Sequence, residues 1–217
     1  MANLGLVYER QGRFEQAAEC QRVGLALFQE GGDQSGEARS LANLGSIAVR
    51  QGQYEDAVDW YQQALTLLRQ IGDGASEASA LPDLGRAYQR QGLFEEAVGC
   101  YQRALAVFRE TGDRTGEAEA RNGVAEILLA TGRPDEAQVA YTAALALAGQ
   151  LGEAYEQARA HHGLAAALHE IGNHGLARHH RSCALELYSA LGAPEADAIR
   201  AELDQPSLTS EEELAEA

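Results

Sequence analysis

Sliding the chain against itself by 40 residues brings Leu4, Leu44, Leu84, Val124 and Leu164 into one column. The same shift aligns Gly12, Gly52, Gly92, Gly132 and Gly172, and then Ala17, Ala57, Ala97, Ala137 and Ala177. A fixed period without insertion or deletion constrains the fold more than any other feature here. Each copy is one supersecondary unit that cannot bury its apolar face alone, so the copies must stack. In the copy from Ala42 to Leu81, apolar residues recur at helical spacing through Leu41, Leu44, Ile47 and Ala48. They do so again through Tyr54, Ala57, Val58, Tyr61, Ala64, Leu65 and Leu68. Gln51-Gly52 between them ends one helix and turns the chain. The pattern predicts two antiparallel helices per repeat, an all-α solenoid over residues 1–203, and an acidic tail over 204–217.

The loop joining one repeat to the next is Gly32-Asp33, Gly72-Asp73 and Gly112-Asp113, then Gly152-Glu153. Glycine ends a helix and the acid suits the start of the next. Glu15, Glu55, Asp56, Glu95, Glu96, Asp135 and Glu136 fall in the first turns of the second helices, so much of the acidity belongs to helix ends. With 17 basic and 33 acidic side chains the formal charge is -16, which excludes a generalised nucleic-acid or anionic-membrane surface. Every basic residue is arginine, which removes a Walker-type lysine, a Schiff-base lysine and a lysine general base. The arginine, alanine and glycine bias suggests a GC-rich bacterial genome. Cys20, Cys100 and Cys183 are odd in number and lack C-x-x-C spacing, which points to free thiols in a reducing cytoplasm. No apolar run has the length of a membrane span.

Leu44-Gly45, Ala57, Tyr61 and Ala64, and again Leu84-Gly85, Tyr88, Ala97, Tyr101 and Ala104, resemble the tetratricopeptide repeat. The 40-residue period resembles the long form found in kinesin light chains, in spindle-orientation adaptors and in C-terminal arrays of bacterial NTPase-type transcriptional regulators. The resemblance implies a right-handed superhelix with repeats at 2–41, 42–81, 82–121, 122–161 and 162–203. The first repeat lacks half of its first helix, which suggests a piece of a longer protein. Glu195 to Leu203 reads as a capping helix before Pro206, and Pro82, inside a first helix, predicts a kink or a late start.

The resemblance further implies a binding groove lined by the first helices. The residue before the Leu-Gly column is Asn3, Asn43, Asp83, Gly123 and Gly163, with Asn122 displaced by one. An asparagine here holds the backbone of an extended peptide in the long-repeat adaptors, since an amide both donates and accepts. Ser46, Arg39, Arg86, Arg121 and Arg159 share these helices, and Arg10, Arg50 and Arg90 recur at their ends. The arginines suit carboxylates of an acidic partner, or else pair with glutamates of neighbouring repeats. All six histidines lie between 161 and 180, and His162, His169, His179 and Cys183 have spacings that can direct ligands towards one metal, zinc for example. No H-E-x-x-H, G-x-S-x-G or phosphate loop accompanies them, so neither an enzyme nor a cofactor is expected. The reading is a protein- or peptide-binding module. Two rivals are a sensor or autoinhibitory domain of a bacterial multidomain transcriptional regulator and a scaffold that self-associates through the first repeat.

Overall fold

A computed structural model describes residues 5, 7, 8 and 11–204. Asn3, Leu4, Arg10 and the acidic tail beyond Asp204 lie outside the described residues. The chain forms two compact units, residues 1–127 and 128–217.

Unit 1 contains α1 (Phe14–Gly31), α2 (Gln34–Arg50), α3 (Tyr54–Ile71), α4 (Gly74–Arg90), α5 (Phe94–Thr111) and most of α6 (Arg114–Ala130). Consecutive helices from α1 to α5 pack against each other. The structural repeat is therefore a helix pair beginning at Gln34, Gly74 and Arg114, so boundaries drawn at 42, 82 and 122 pass through the middle of a first helix. Each second helix ends on a glycine in the left-handed region, such as Gly72 at φ 73°, a conformation that favours glycine. The Asp73 N–H then reaches back to the Leu68 carbonyl at 2.9 Å, closing the helix end. Asp73 also starts the next helix: its Oδ1 accepts from the Ser76 N–H at 3.0 Å, and this backbone bond holds the Asp73 carboxyl below its ordinary pKa. Asp33 and Asp113 cap α2 and α6 in the same way through Gly36 and Gly116.

Pro82 contradicts one expectation. Helix α4 starts at Gly74, in register with α2 and α6, and runs through Pro82 without a late start. The proline forfeits one backbone bond, but it is buried beside Leu81 and Leu84, and the Asp73 cap has already set the first turn.

The core of unit 1 is built on small residues that let helices close up. Ala57 and Ala97 are fully buried, and the Tyr61 and Tyr101 rings pack beside them. A Cβ added at Gly45 would meet the Tyr61 ring at 2.9 Å, and one at Gly123 would meet Tyr101 at 2.3 Å. These glycines therefore let an aromatic ring lie directly on a helix backbone.

Unit 2 contains α7 (Pro134–Leu151), α8 (Ala154–Glu170), α9 (His174–Leu191) and α10 (Glu195–Asp204), with each helix packed on the next. Tyr141 lies on Gly163 as Tyr101 lies on Gly123. Helix α10 follows Pro194 and buries Ala196 and Ile199 against Ala158, Ala184 and Tyr188. It thus covers the apolar end of the last pair, as a capping helix should.

Candidate functional site

The first helices of unit 1 bring their matching columns to one face. Helix α2 contributes Arg39, Asn43, Ser46 and Arg50; α4 contributes Asp83, Arg86 and Arg90; α6 contributes Glu119 and Glu126. Two contacts join α4 to α6 on this face. Arg86 Nη2 donates to Glu119 Oε1 at 2.7 Å, and Gln89 Nε2 reaches Glu126 Oε2 at 3.5 Å.

Asn43 and Ser46 are half-buried and Arg39 is exposed, with its guanidinium 5.7 Å from the Phe28 ring centroid. Arg86 is engaged by Glu119 and lies 3.7 Å from Asp83. Burial raises the Asp83 pKa, and the charge of Arg86 opposes that rise only in part. Its side chain is nonetheless 43% exposed, so solvent reaches the carboxylate. Arg50 and Arg90 are exposed in the last turns of α2 and α4, where a cation complements the helix dipole.

Three expected groove residues have other roles. Asn122 is fully buried and cannot line a groove. A shift of one residue turns a helical side chain by about 100°, enough to swing it from the face into the core. Arg121 donates to Glu117 at 2.8 Å, and Glu117 also receives Arg109 at 3.1 Å. These bonds, that from Arg121 foremost, hold the Glu117 carboxyl below its usual range. In unit 2, Arg159 is paired with Glu156 at 3.1 Å, with both side chains largely buried. Glu119 and Glu126 are the residues of this face that the sequence reading misses. The 40-residue columns contain the signal, since Arg39 and Ser46 become Glu119 and Glu126 two repeats later.

His162, His169, His179 and Cys183, whose spacing allows a metal site that the sequence does not lead one to expect, do not converge. His162 faces Glu202 at 3.7 Å, His169 pairs with His174 at 3.2 Å, and Cys183 Sγ lies 3.8 Å from His179. Residues 162 and 169 are two helical turns apart, which separates them by about 10 Å along the axis. Among the described residues, no group of three His, Cys, Asp or Glu side chains could hold a metal ion. The Cys100 thiol is buried and its pKa is raised by that burial, which suits packing rather than nucleophilic attack.

A second feature lies among α1, α2 and α3. Leu44, Ile47, Ala48 and Trp60 floor a crevice of about 350 Å³, with Arg22, Asp56 and Asp59 around it. Among the described residues, no helix is long and apolar enough to cross a membrane.

A sequence profile of the tetratricopeptide repeat matches residues 1–70 and 76–150, well over half of the chain. The chain belongs to the tetratricopeptide repeat family. No curated protein sequence matches it. Among solved structures it is similar to BtubC from P. vanneervenii, with a TM-score of 0.74 at 22% identity over 87% of this chain and 78% of that one. It is similar to a signal transduction ATPase with numerous domains (STAND) from Pyrococcus horikoshii, a protein with a tetratricopeptide repeat sensor. There the TM-score is 0.73 at 17% identity, covering 91% of this chain and 31% of that one. A Rap protein complexed with competence and sporulation factor has a TM-score of 0.71 at 18% identity, covering 78% of this chain and 47% of that one. These tetratricopeptide repeat structures share the helix-pair fold. The family is an interaction scaffold, and the all-helical array of repeats seen here is its architecture.

Proposed function

We propose that the first-helix face of unit 1 is a groove that captures an extended segment of a partner protein or peptide. In this reading residues 1–203 form a single binding array, residues 204–217 form an acidic tail, and the setting is the cytoplasm of a bacterium. The observation that carries the proposal is the state of Asn43. Its amide is half-buried on α2, on the face that also carries Ser46 and Arg39, and an amide can serve a peptide backbone as both donor and acceptor. Ser46 stands one turn away, and exposed Arg39 can meet an acidic residue of the ligand. Arg86 acts as a fixed pair with Glu119 rather than as an open cation.

Peptides selected on the wild-type protein from a phage-displayed library test the proposal. Asn43→Ala is expected to weaken the selected peptides by about tenfold, the scale of one lost bidentate amide contact, with far-UV circular dichroism unchanged. Equal affinity for wild type and Asn43→Ala would show that the peptides bind elsewhere.

The STAND neighbour favours a second reading, in which this array is the sensor or autoinhibitory domain of a multidomain regulator and its ligand relieves inhibition. The domain order of the full-length gene decides between the two. A third arrangement rests on Val23 and Leu27 of α1, which are 37% and 55% exposed. Self-association through this face predicts a solution mass that rises with concentration; a constant monomer mass over a hundredfold range removes it.

A further inference from the structure

The charges at the centre of the groove are unequal. Asp83, Arg86 and Glu119 place two carboxylates around one guanidinium. The guanidinium is committed to Glu119 at 2.7 Å, while its distance to Asp83 is 3.7 Å, beyond a hydrogen bond. Asp83 therefore has a weak partner and an open side: it is 43% exposed on the same face as Asn43. A carboxylate with no closer donor among the described residues is stabilised by a cation that reaches its exposed side.

We propose that Asp83 seats a cationic group of the bound segment, a lysine, an arginine or a free amine, so that the groove selects a stretch with a positive charge at this point. The incoming cation completes an alternation of two carboxylates and two cations across α4 and α6. This inference rests on the groove reading above and adds a charge requirement to it. It also changes the chemistry expected of the partner. Among the arginines expected to read acidic residues, Arg86, Arg121 and Arg159 are already paired with Glu119, Glu117 and Glu156. An acidic ligand residue is left with exposed Arg39, and with Arg50 and Arg90 at the helix ends, whereas a basic one has Asp83. The desolvation that raises the Asp83 pKa agrees with a site awaiting a cation.

The test uses two fluorescein-labelled Gly-Ala-Ser peptides of about ten residues, one with two lysines and one with two glutamates, followed by fluorescence polarisation at about 150 mM salt. The lysine peptide is expected to bind the wild type more tightly than the glutamate peptide, and Asp83→Asn to weaken it by about tenfold. Asp56→Asn, which removes a carboxylate bordering the outer crevice, controls for the general pull of a chain of charge -16. Equal weakening by Asp83→Asn and Asp56→Asn overturns the inference, as does failure of the lysine peptide to bind the wild type. Weakening by Asn43→Ala but not by Asp83→Asn leaves the groove reading standing and removes the cation seat alone. If neither variant alters binding, both fall.

Discussion

Replacing Tyr101 with alanine is expected to destabilise unit 1 by about 3–5 kcal/mol, the usual cost of removing a large buried aromatic. The ring is 1% exposed and sits between two first helices, over Gly85 on one side and Gly123 on the other. A Cβ at Gly85 would be 3.1 Å from the ring and one at Gly123 only 2.3 Å, so both backbones are shaped to this side chain. The geometry makes a sharper claim about the pair. In the wild type, Gly123→Ala forces the ring to move and should cost about 1–3 kcal/mol, because overpacking outweighs the better helix propensity of alanine. In a Tyr101→Ala background the obstruction is gone, and the same Gly123→Ala change should stabilise by about 1 kcal/mol. The sign of one substitution therefore reverses with its neighbour, which a double-mutant cycle detects. Trp60 is the only tryptophan and lies in unit 1, so its fluorescence during urea unfolding reports this unit directly. If Gly123→Ala has the same sign in both backgrounds, the ring does not hold the two helices in register as described.

The helix pairs are legible in the sequence because three columns at one spacing, Leu44, Gly52 and Ala57 with their copies, specify spacing, turn and close approach at once. The same columns expose the limit of reading one position at a time. Gly123 and Gly163 occupy the column of Asn43 and Asp83, which suggests a groove emptied of polar groups. Their role is to make room for Tyr101 and Tyr141, residues about twenty positions away, and the need for glycine appears only when the ring is seen against the backbone. Asn122 has the residue type wanted for peptide binding but lies one position out of phase, and phase decides its burial. The arginines show a different limit. Composition counts 17 cations but cannot say which are taken, and the pairs Arg86–Glu119 and Arg109–Glu117 depend on which helices become neighbours. A fold that rests on recurring residues is therefore readable from one chain. A site that rests on the exceptions needs their distances.

Lowering the pH from about 7.5 to 5 is expected to destabilise unit 2 more than unit 1, since histidine titrates in this range and unit 1 has none. All six histidines lie between 161 and 180, in unit 2. His161 on α8 and His180 on α9 face each other with Nδ1 atoms 2.8 Å apart, in columns that hold Arg121 and Ala140 one repeat earlier and Leu81 and Cys100 two repeats earlier. At that distance one ring donates and the other accepts, so the accepting Nδ1 must be unprotonated and the two rings cannot both be charged. Burial, with His180 and then His179 adding repulsion, pushes the His161 pKa down to about 4, and burial followed by His179 lowers that of His180. The unfolded chain takes up a proton near pH 6.5, whereas folded His161 resists until about pH 4. Below pH 6.5 the unfolded state binds more protons than the native state, so stability is fully present above that pH and declines as the pH falls towards 4. Between pH 6.5 and 5 the loss should be about 1–2 kcal/mol. Other polar groups lie near the pair: His162 and Arg181 both face Glu202 of α10, at 3.7 and 3.1 Å. The double variant His161→Leu/His180→Ala restores apolar contact between α8 and α9 and should flatten the pH dependence of unit 2. Thermal unfolding followed by far-UV circular dichroism reports the whole chain and Trp60 fluorescence reports unit 1, so the two signals should separate as the pH is lowered in the wild type. In the double variant they should stay together. A wild-type chain whose two signals shift equally between pH 7.5 and 5 would show that the histidine pair does not control the stability of the last repeat.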